Sequence, residues 1–155
     1  MAQVPDLQSA AEELALVLTR HGLQRMTARV LATLLFTEQA TVTMAELADI
    51  LHASSGSISG ALKTLTSVGL AEQVPMPGSR RDHFRLRSDA WAVLFTHQNE
   101  TLTGMLAAAE AGIAVADRGS LAEQRLTEMR DFYTFLLAEI PALLDRWRGR
   151  GVHRE

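Results

Sequence analysis

Apolar residues recur at helical spacing over most of this chain, and the interruptions divide it into a fixed order of elements. Leu7, Ala11, Leu14 and Leu18 form one stripe of a helix expected over residues 6–21, with Gly22 as its stop. Leu31, Leu34 and Leu35 predict a second helix over residues 27–36, followed by a polar connecting loop over 37–42. Thr43-Met44-Ala45-Glu46 is a capping-box pattern, in which hydroxyl and carboxylate can each satisfy an amide at a helix start. Met44, Leu47, Ala48 and Leu51 then continue at helical spacing. A tight turn at His52-Ala53 leads to a serine-capped helix over residues 54–68, closed by Gly69.

The period changes to two after that point. Residues 70–74 read as a strand, Pro75-Met76-Pro77-Gly78 breaks it, and residues 83–87 alternate as the returning strand. Helix then resumes from a cap at Ser88 or Asp89, carrying Trp91, Leu94, Phe95, Leu102, Met105, Leu106, Ala109 and Ile113. Arg118-Gly119-Ser120 makes a break. A last helix carries Met129, Phe132, Tyr133, Leu136, Ile140, Leu143, Leu144 and Trp147, and Pro141 is expected to kink or restart it. There is no internal repeat and no low-complexity segment.

A short helix, a tight turn, a second helix and a basic hairpin, in that order, read as a winged helix-turn-helix. The expected fold is mainly α with a small β-hairpin wing, flanked by long N- and C-terminal dimerisation helices. Residues 24–88 are the expected DNA-binding domain, and 1–23 with 89–155 the helical dimerisation region. Those flanking helices carry more apolar surface than so small a module can cover. A symmetric homodimer solves that, and would set two reading helices about one DNA turn, roughly 34–36 Å, apart. The competing reading is a monomer whose terminal helices pack only on each other.

On the helix over 54–68, Ile58, Ala61, Leu62 and Leu65 share the inward side. The other side holds Gly56, Ser59, Gly60, Lys63, Thr64 and Ser67, with no acidic residue. Hydroxyls can reach base edges or phosphates, and glycines let the backbone approach DNA closely. Ser54 is the expected N-cap, with Ser55 and Ser57 in the first turn, where free amides and hydroxyls could meet a phosphate. Arg80 and Arg81 follow the Pro77-Gly78 turn and could reach a narrow minor groove, with Asp82 placed to orient one of them. Arg85 and Arg87 should point alike by strand alternation, as backbone contacts or simply as exposed cations. The candidate DNA-binding residues are therefore Ser54, Ser55, Ser57, Ser59, Gly60, Lys63, Thr64, Arg80, Arg81 and Arg85. Against this stands a plainer account, in which serine is only a cap and the Ser/Gly/Lys face only solvated surface.

Composition narrows the classes. At 155 residues with 47% apolar content the chain can bury a core, and 5% aromatics leans towards helix. No charge-poor apolar stretch of about 18 residues predicts a membrane span. With Asp6 and no basic n-region, the start does not read as a secretory signal. The absence of cysteine excludes disulfides, thiol-based redox sensing and cysteine-ligated metal sites, and a cytoplasmic protein is the simplest expectation. The net charge of −3 argues against a general nucleic-acid coat, but from Ser54 to Arg87 five cations face two acids. One DNA-facing surface on an acidic body fits that asymmetry.

The run Met44-Ala45-Glu46-Leu47-Ala48, Ser54-Ser55-Gly56-Ser57-Ile58-Ser59, Leu62, Leu65, Gly69-Leu70-Ala71 and Pro77-Gly78-Ser79-Arg80-Arg81-Asp82 resembles the MarR superfamily of bacterial regulators. The Gly-Ser-Ile-Ser helix start and the Pro-Gly-x-Arg-Arg-Asp hairpin look most like its GbsR-type branch. The resemblance is strong over residues 26–91 and rests on helix layout alone elsewhere. It implies a homodimer joined through its terminal helices and bound to near-palindromic double-stranded operator DNA; a repressor is the expected role, although the sequence does not separate repression from activation. It also implies release by a small-molecule effector lodged between the dimer helices and the DNA-binding lobe. Some GbsR-type members respond to choline-like ligands. Trp91, Phe95, Phe132 and Tyr133 could contribute to an aromatic pocket for a quaternary ammonium, although such spacing more often marks core or dimer interface.

No enzyme signature can be assembled: GxSxG, a P-loop, HExxH and a dinucleotide fingerprint are all missing, so no catalytic residue and no cofactor is expected. His97 and Glu100 stand at i, i+3 and could be half of a metal site, but His21, His52, His83 and His153 are dispersed and no metal is expected. The rival class is a winged helix used for protein interaction without DNA binding, which would show an exposed apolar patch on its second helix. Arg146, Arg148, Arg150 and Arg154 could add DNA contacts, or form a frayed tail.

Overall fold

The computed structural model describes residues 6–151. One compact unit ends at Val93 and a second begins at Leu94. The first contains α1 (Leu7–Arg20), α2 (Arg25–Phe36), β1 (Val42–Thr43), α3 (Met44–Leu51), α4 (Ser55–Ser67), β2 (Ala71–Val74) and β3 (His83–Leu86). Its three strands form one antiparallel sheet in the order β1-β3-β2. His153 and Arg154 lie outside the described residues.

Helix ends follow local chemistry. Asp6 caps α1 by accepting the amide of Ser9 at 2.7 Å. At its other end the Leu23 amide donates to the Leu18 carbonyl and that of Gly22 to Thr19, with Gly22 at φ +103°. This double closure requires one left-handed residue, hence glycine. The same closure ends α4: Leu70 donates to Leu65, Gly69 to Thr66, and Gly69 sits at φ +78°. In α3 the left-handed position falls to His52, at φ +50°.

α2 is the centre of this unit. It packs on α1, α3, α4 and β3, so Val30, Leu31, Ala32, Thr33 and Leu34 are all buried. Neighbours on several sides bury most of the helix rather than one stripe. The expectation that Leu35 points inward fails for that reason: it takes the remaining direction and is exposed. Leu7, at the first turn of α1, is also exposed. Between α1 and α2, Glu12 accepts from Arg25 at 2.9 Å and from Arg29 at 2.8 Å. Strand β1 corrects the expected loop over 37–42, because Val42 and Thr43 pair with Phe84 and His83.

The second unit is helical. The long α5 (Ala90–Val115) starts in the first unit and runs on, and α6 (Leu121–Gly151) follows. Apolar residues are spread all round α5 instead of lying on one stripe. Helix α6 runs unbroken through Pro141, so the expected restart does not occur. Pro141 is exposed, and the carbonyl four residues earlier that loses its donor can be hydrated. Among the described residues no helix is long and apolar enough to cross a membrane.

Candidate nucleic-acid interface

The capping box is formed as expected. The Thr43 amide and hydroxyl donate to Glu46 Oε2 at 2.7 and 2.9 Å, and the Glu46 amide donates back to Thr43 Oγ1 at 3.3 Å. These bonds, with smaller help from the charges of His83 and Arg81, hold the Glu46 carboxyl below the usual glutamate range. The start of α3 is thereby fixed, and α3 with the turn at His52 sets the angle at which α4 leaves.

Ile58, Ala61, Leu62 and Leu65 are buried against the body, as the periodicity predicts. Ser54, Ser55, Gly56, Ser57, Ser59, Gly60, Lys63, Thr64 and Ser67 are exposed. Ser54 caps α4 by accepting the Ser57 amide at 3.2 Å, and the two hydroxyls meet at 2.9 Å. The Thr64 hydroxyl donates to the Gly60 carbonyl at 3.1 Å, so outward it offers lone pairs rather than a proton.

A Cβ built on Gly56 or Gly60 would meet nothing within 4 Å. Neither glycine is in the left-handed region. Glycine inside a helix costs roughly 0.5–1 kcal/mol relative to alanine. Neither backbone conformation nor internal packing asks for these two. What they provide is a smooth face that another molecule can approach closely.

The wing is an eight-residue loop between β2 and β3, residues 75–82. Met76-Pro77-Gly78-Ser79 forms a turn in which the Ser79 amide donates to the Met76 carbonyl at 3.1 Å, with Gly78 at φ +83°. That geometry explains proline and glycine at its two central positions. Arg80 and Arg81 are exposed, and among the described residues neither guanidinium has a partner. The expected pairing of Asp82 with one of them is replaced: Asp82 Oδ1 accepts from Gln73 Nε2 at 2.8 Å, across the hairpin.

Arg85 stands directly opposite Glu72 in the strand register and donates to it at 2.7 Å. Arg87 pairs with Asp89 at 3.1 Å. Both arginines are exposed, as alternation predicts, yet each is already partnered. A cleft of about 500 Å³ between α4 and the sheet is lined by Lys63 and Arg87 but also by Glu72 and Asp82. Two cations and two acids line it, and of these Arg87 and Glu72 are each held by another partner, Asp89 and Arg85. Strand pairing across the hairpin would have revealed the Glu72–Arg85 pair, since the two residues stand directly opposite on facing strands.

Other candidate chemistry is sparse. His97 Nδ1 lies 3.6 Å from Glu100 Oε1, an ordinary i, i+3 contact, and among the described residues no group of three His, Asp or Glu could hold a metal. Phe132 and Tyr133 meet edge to face with ring centroids 5.2 Å apart.

Known proteins share this arrangement. A model of the MarR family matches residues 21–82, and one described as MmpR5-like MarR family transcriptional regulator matches residues 89–150. Over 151 residues, 97% of this chain and 92% of the relative, the sequence is 30% identical to the HTH-type transcriptional regulator MmpR5 of Mycobacterium tuberculosis H37Rv. A crystal structure of a transcriptional regulator superposes with a TM-score of 0.74 at 29% identity, covering 94% of this chain and 99% of that one. Apo MarR from E. coli is more distant, with a TM-score of 0.44 at 20% identity over 90% of each chain. On the two family-model matches and the identity to MmpR5 along nearly the whole chain, the chain belongs to the MarR family of helix-turn-helix transcriptional regulators and is not an enzyme.

Proposed function

We propose that the chain acts as a homodimeric repressor that reads a near-palindromic operator through α4 and the wing. The observation that carries this is the face of α4: acid-free, with two glycines its own fold does not require, beside two unpaired arginines. Ser54, Ser55, Ser57, Ser59, Gly60 and Thr64 would meet base edges and phosphates, and Lys63, Arg80 and Arg81 the backbone and minor groove. Arg85 would have to share its charge with Glu72.

Dimerisation is supported by apolar side chains left in solvent on both terminal regions: Leu7, Leu16 and Val17 on α1, and Phe132, Phe135, Leu143 and Trp147 on α6. It is on this basis that residues 24–88 are assigned to DNA and 1–23 with 89–155 to the dimer. Release by a small-molecule effector completes the reading. Support comes from an apolar recess of about 150 Å³ walled by Leu7, Ala11, Phe36 and Ile50, because Ile50 belongs to α3 and an occupant there would press on the reading head. A protein of this kind works in the cytoplasm, beside the DNA. Within the family, the Gly56-Ser57-Ile58-Ser59 start and the Pro77-Gly78 hairpin support a GbsR-type kinship, which comparing that segment across the branches tests.

The deciding experiment is affinity for the DNA upstream of the chain's own coding sequence against a scrambled duplex, titrated over salt. A preference of about a thousandfold with a steep salt slope is expected. Equal, weak binding to both would count against this operator and favour a protein partner.

A further inference from the structure

We infer that His83 is a positioning residue for the wing arginines, clamping through its two ring nitrogens the loop that presents them. The proposal rests on the reading that Arg80 and Arg81 meet DNA. His83 opens β3, where its Cα is paired with Val74 on one side and Thr43 on the other. Its backbone is therefore fixed by the middle strand of the sheet. From there Nδ1 lies 3.0 Å from Thr41 Oγ1, just before β1, and Nε2 lies 2.9 Å from Ser79 Oγ, in the wing. Ser79 Oγ in turn accepts the backbone amide of Arg81 at 3.2 Å.

The result is a continuous relay from the body of the domain, through one half-buried imidazole, to the backbone of Arg81. Between the Pro77-Gly78 turn and β3, residues 80–82 have no strand partner. Apart from the Asp82–Gln73 bond, the Ser79 hydroxyl is what gathers this stretch. A neutral imidazole has one donor and one acceptor nitrogen, and hydroxyls can rotate to serve either. Ser79 can give its proton to Nε2 and still accept from Arg81, so every group in the relay is satisfied at once. The charge of Arg81 acts on Glu46. The wing arginine thus lies within electrostatic reach of the cap that starts α3, and the relay ties the wing to the helix-turn-helix itself.

A loop already ordered in the free protein loses less conformational entropy on binding. Cutting the relay should therefore weaken DNA binding only by way of the arginines. The test is binding to a mixed-sequence duplex at low salt, where phosphate and groove electrostatics dominate and no operator need be known. Arg80→Ala/Arg81→Ala should weaken binding strongly. His83→Ala and Ser79→Ala should each weaken it on the order of tenfold, while Ser79→Thr, which keeps the hydroxyl, should bind like the parent. In the Arg80→Ala/Arg81→Ala background, His83→Ala should cost nothing further. If the arginine variant binds normally, the wing reading falls. If it binds weakly while His83→Ala and Ser79→Ala match the parent, or if the two losses simply add, the positioning role alone falls. Thermal unfolding accompanies each variant; should His83→Ala not fold, Ser79→Ala at the exposed end of the relay carries the same test.

Discussion

The two units solve the burial problem in opposite ways. In the first, the largest fully buried side chains, Leu31, Leu47, Ile58, Leu65, Val30 and Val42, close a core around α2. In the second, only Ala109 and Ile140 are buried among the described apolar residues, while Phe135 is 65% and Val115 86% exposed. The close helix packing of the chain lies among α1 to α4 and the sheet. Helices α5 and α6 meet around Gly112, where a Cβ would come 2.7 Å from Leu126 Cδ1. A self-sufficient unit can present a polar working face to another molecule. A unit that leaves its phenylalanines in water is built to be covered, and for this family member a second copy is the proposed cover.

The strongest way to break this contrast is to charge the uncovered surface. Phe132→Glu with Phe135→Glu should convert a two-chain species to a single chain in sedimentation. Burying a phenylalanine stabilises by about 1.5–3 kcal/mol, and a carboxylate cannot be buried there at comparable cost. The first unit should keep its own fold, since neither residue belongs to it. A variant that still sediments as two chains would place the dimer surface elsewhere.

Next in size is the working face of the first unit. Gly60→Glu points a carboxylate into open space, so the fold should be unharmed and α4 slightly favoured by helix propensity. Against DNA the same carboxylate meets phosphates. Affinity should fall by about a thousandfold, to the level that separates specific from non-specific binding, with the sedimentation mass unchanged. The two variants should therefore separate cleanly: one alters mass first, the other DNA affinity alone. Tight DNA binding by Gly60→Glu would show that the face of α4 is misassigned.

What the sequence made legible divides along the same line of local against distant chemistry. The cap at Thr43, the buried and exposed sides of α4, and the Pro77-Gly78 turn each depend on residues within a few positions, so spacing alone reveals them. Strand β1 is two residues long and exists only because Phe84 and His83, some forty positions later, pair with it. The Glu12–Arg29 pair and the Thr41–His83 contact are distant in the same way. Leu35 was misplaced because a stripe rule assumes one neighbour, whereas α2 has several. The partners of Asp82 and Arg85 needed the strand register, which fixes who stands opposite whom.

The smallest expected effect sharpens the comparison at two helix starts. Thr43 caps α3 inside the first core and is 5% exposed, whereas Ser120 caps α6 by accepting the Glu123 amide at 3.1 Å nearer to solvent. Thr43→Ala should cost towards the upper end of the usual cap range, about 1–2 kcal/mol, and Ser120→Ala nearer about 0.5 kcal/mol. The pH dependence distinguishes them further. The Thr43 amide and hydroxyl hold Glu46 below the ordinary glutamate range, so its contribution is complete above roughly pH 4–5 and is lost as pH falls through the lowered value. The stability gap between parent and Thr43→Ala should be widest near neutral pH and narrow in acid, followed by denaturant unfolding at several pH values. A gap that stays constant into acid would mean that the threonine works through packing and its bond from the Glu46 amide, and that the hydroxyl's bond to the Glu46 carboxylate adds nothing.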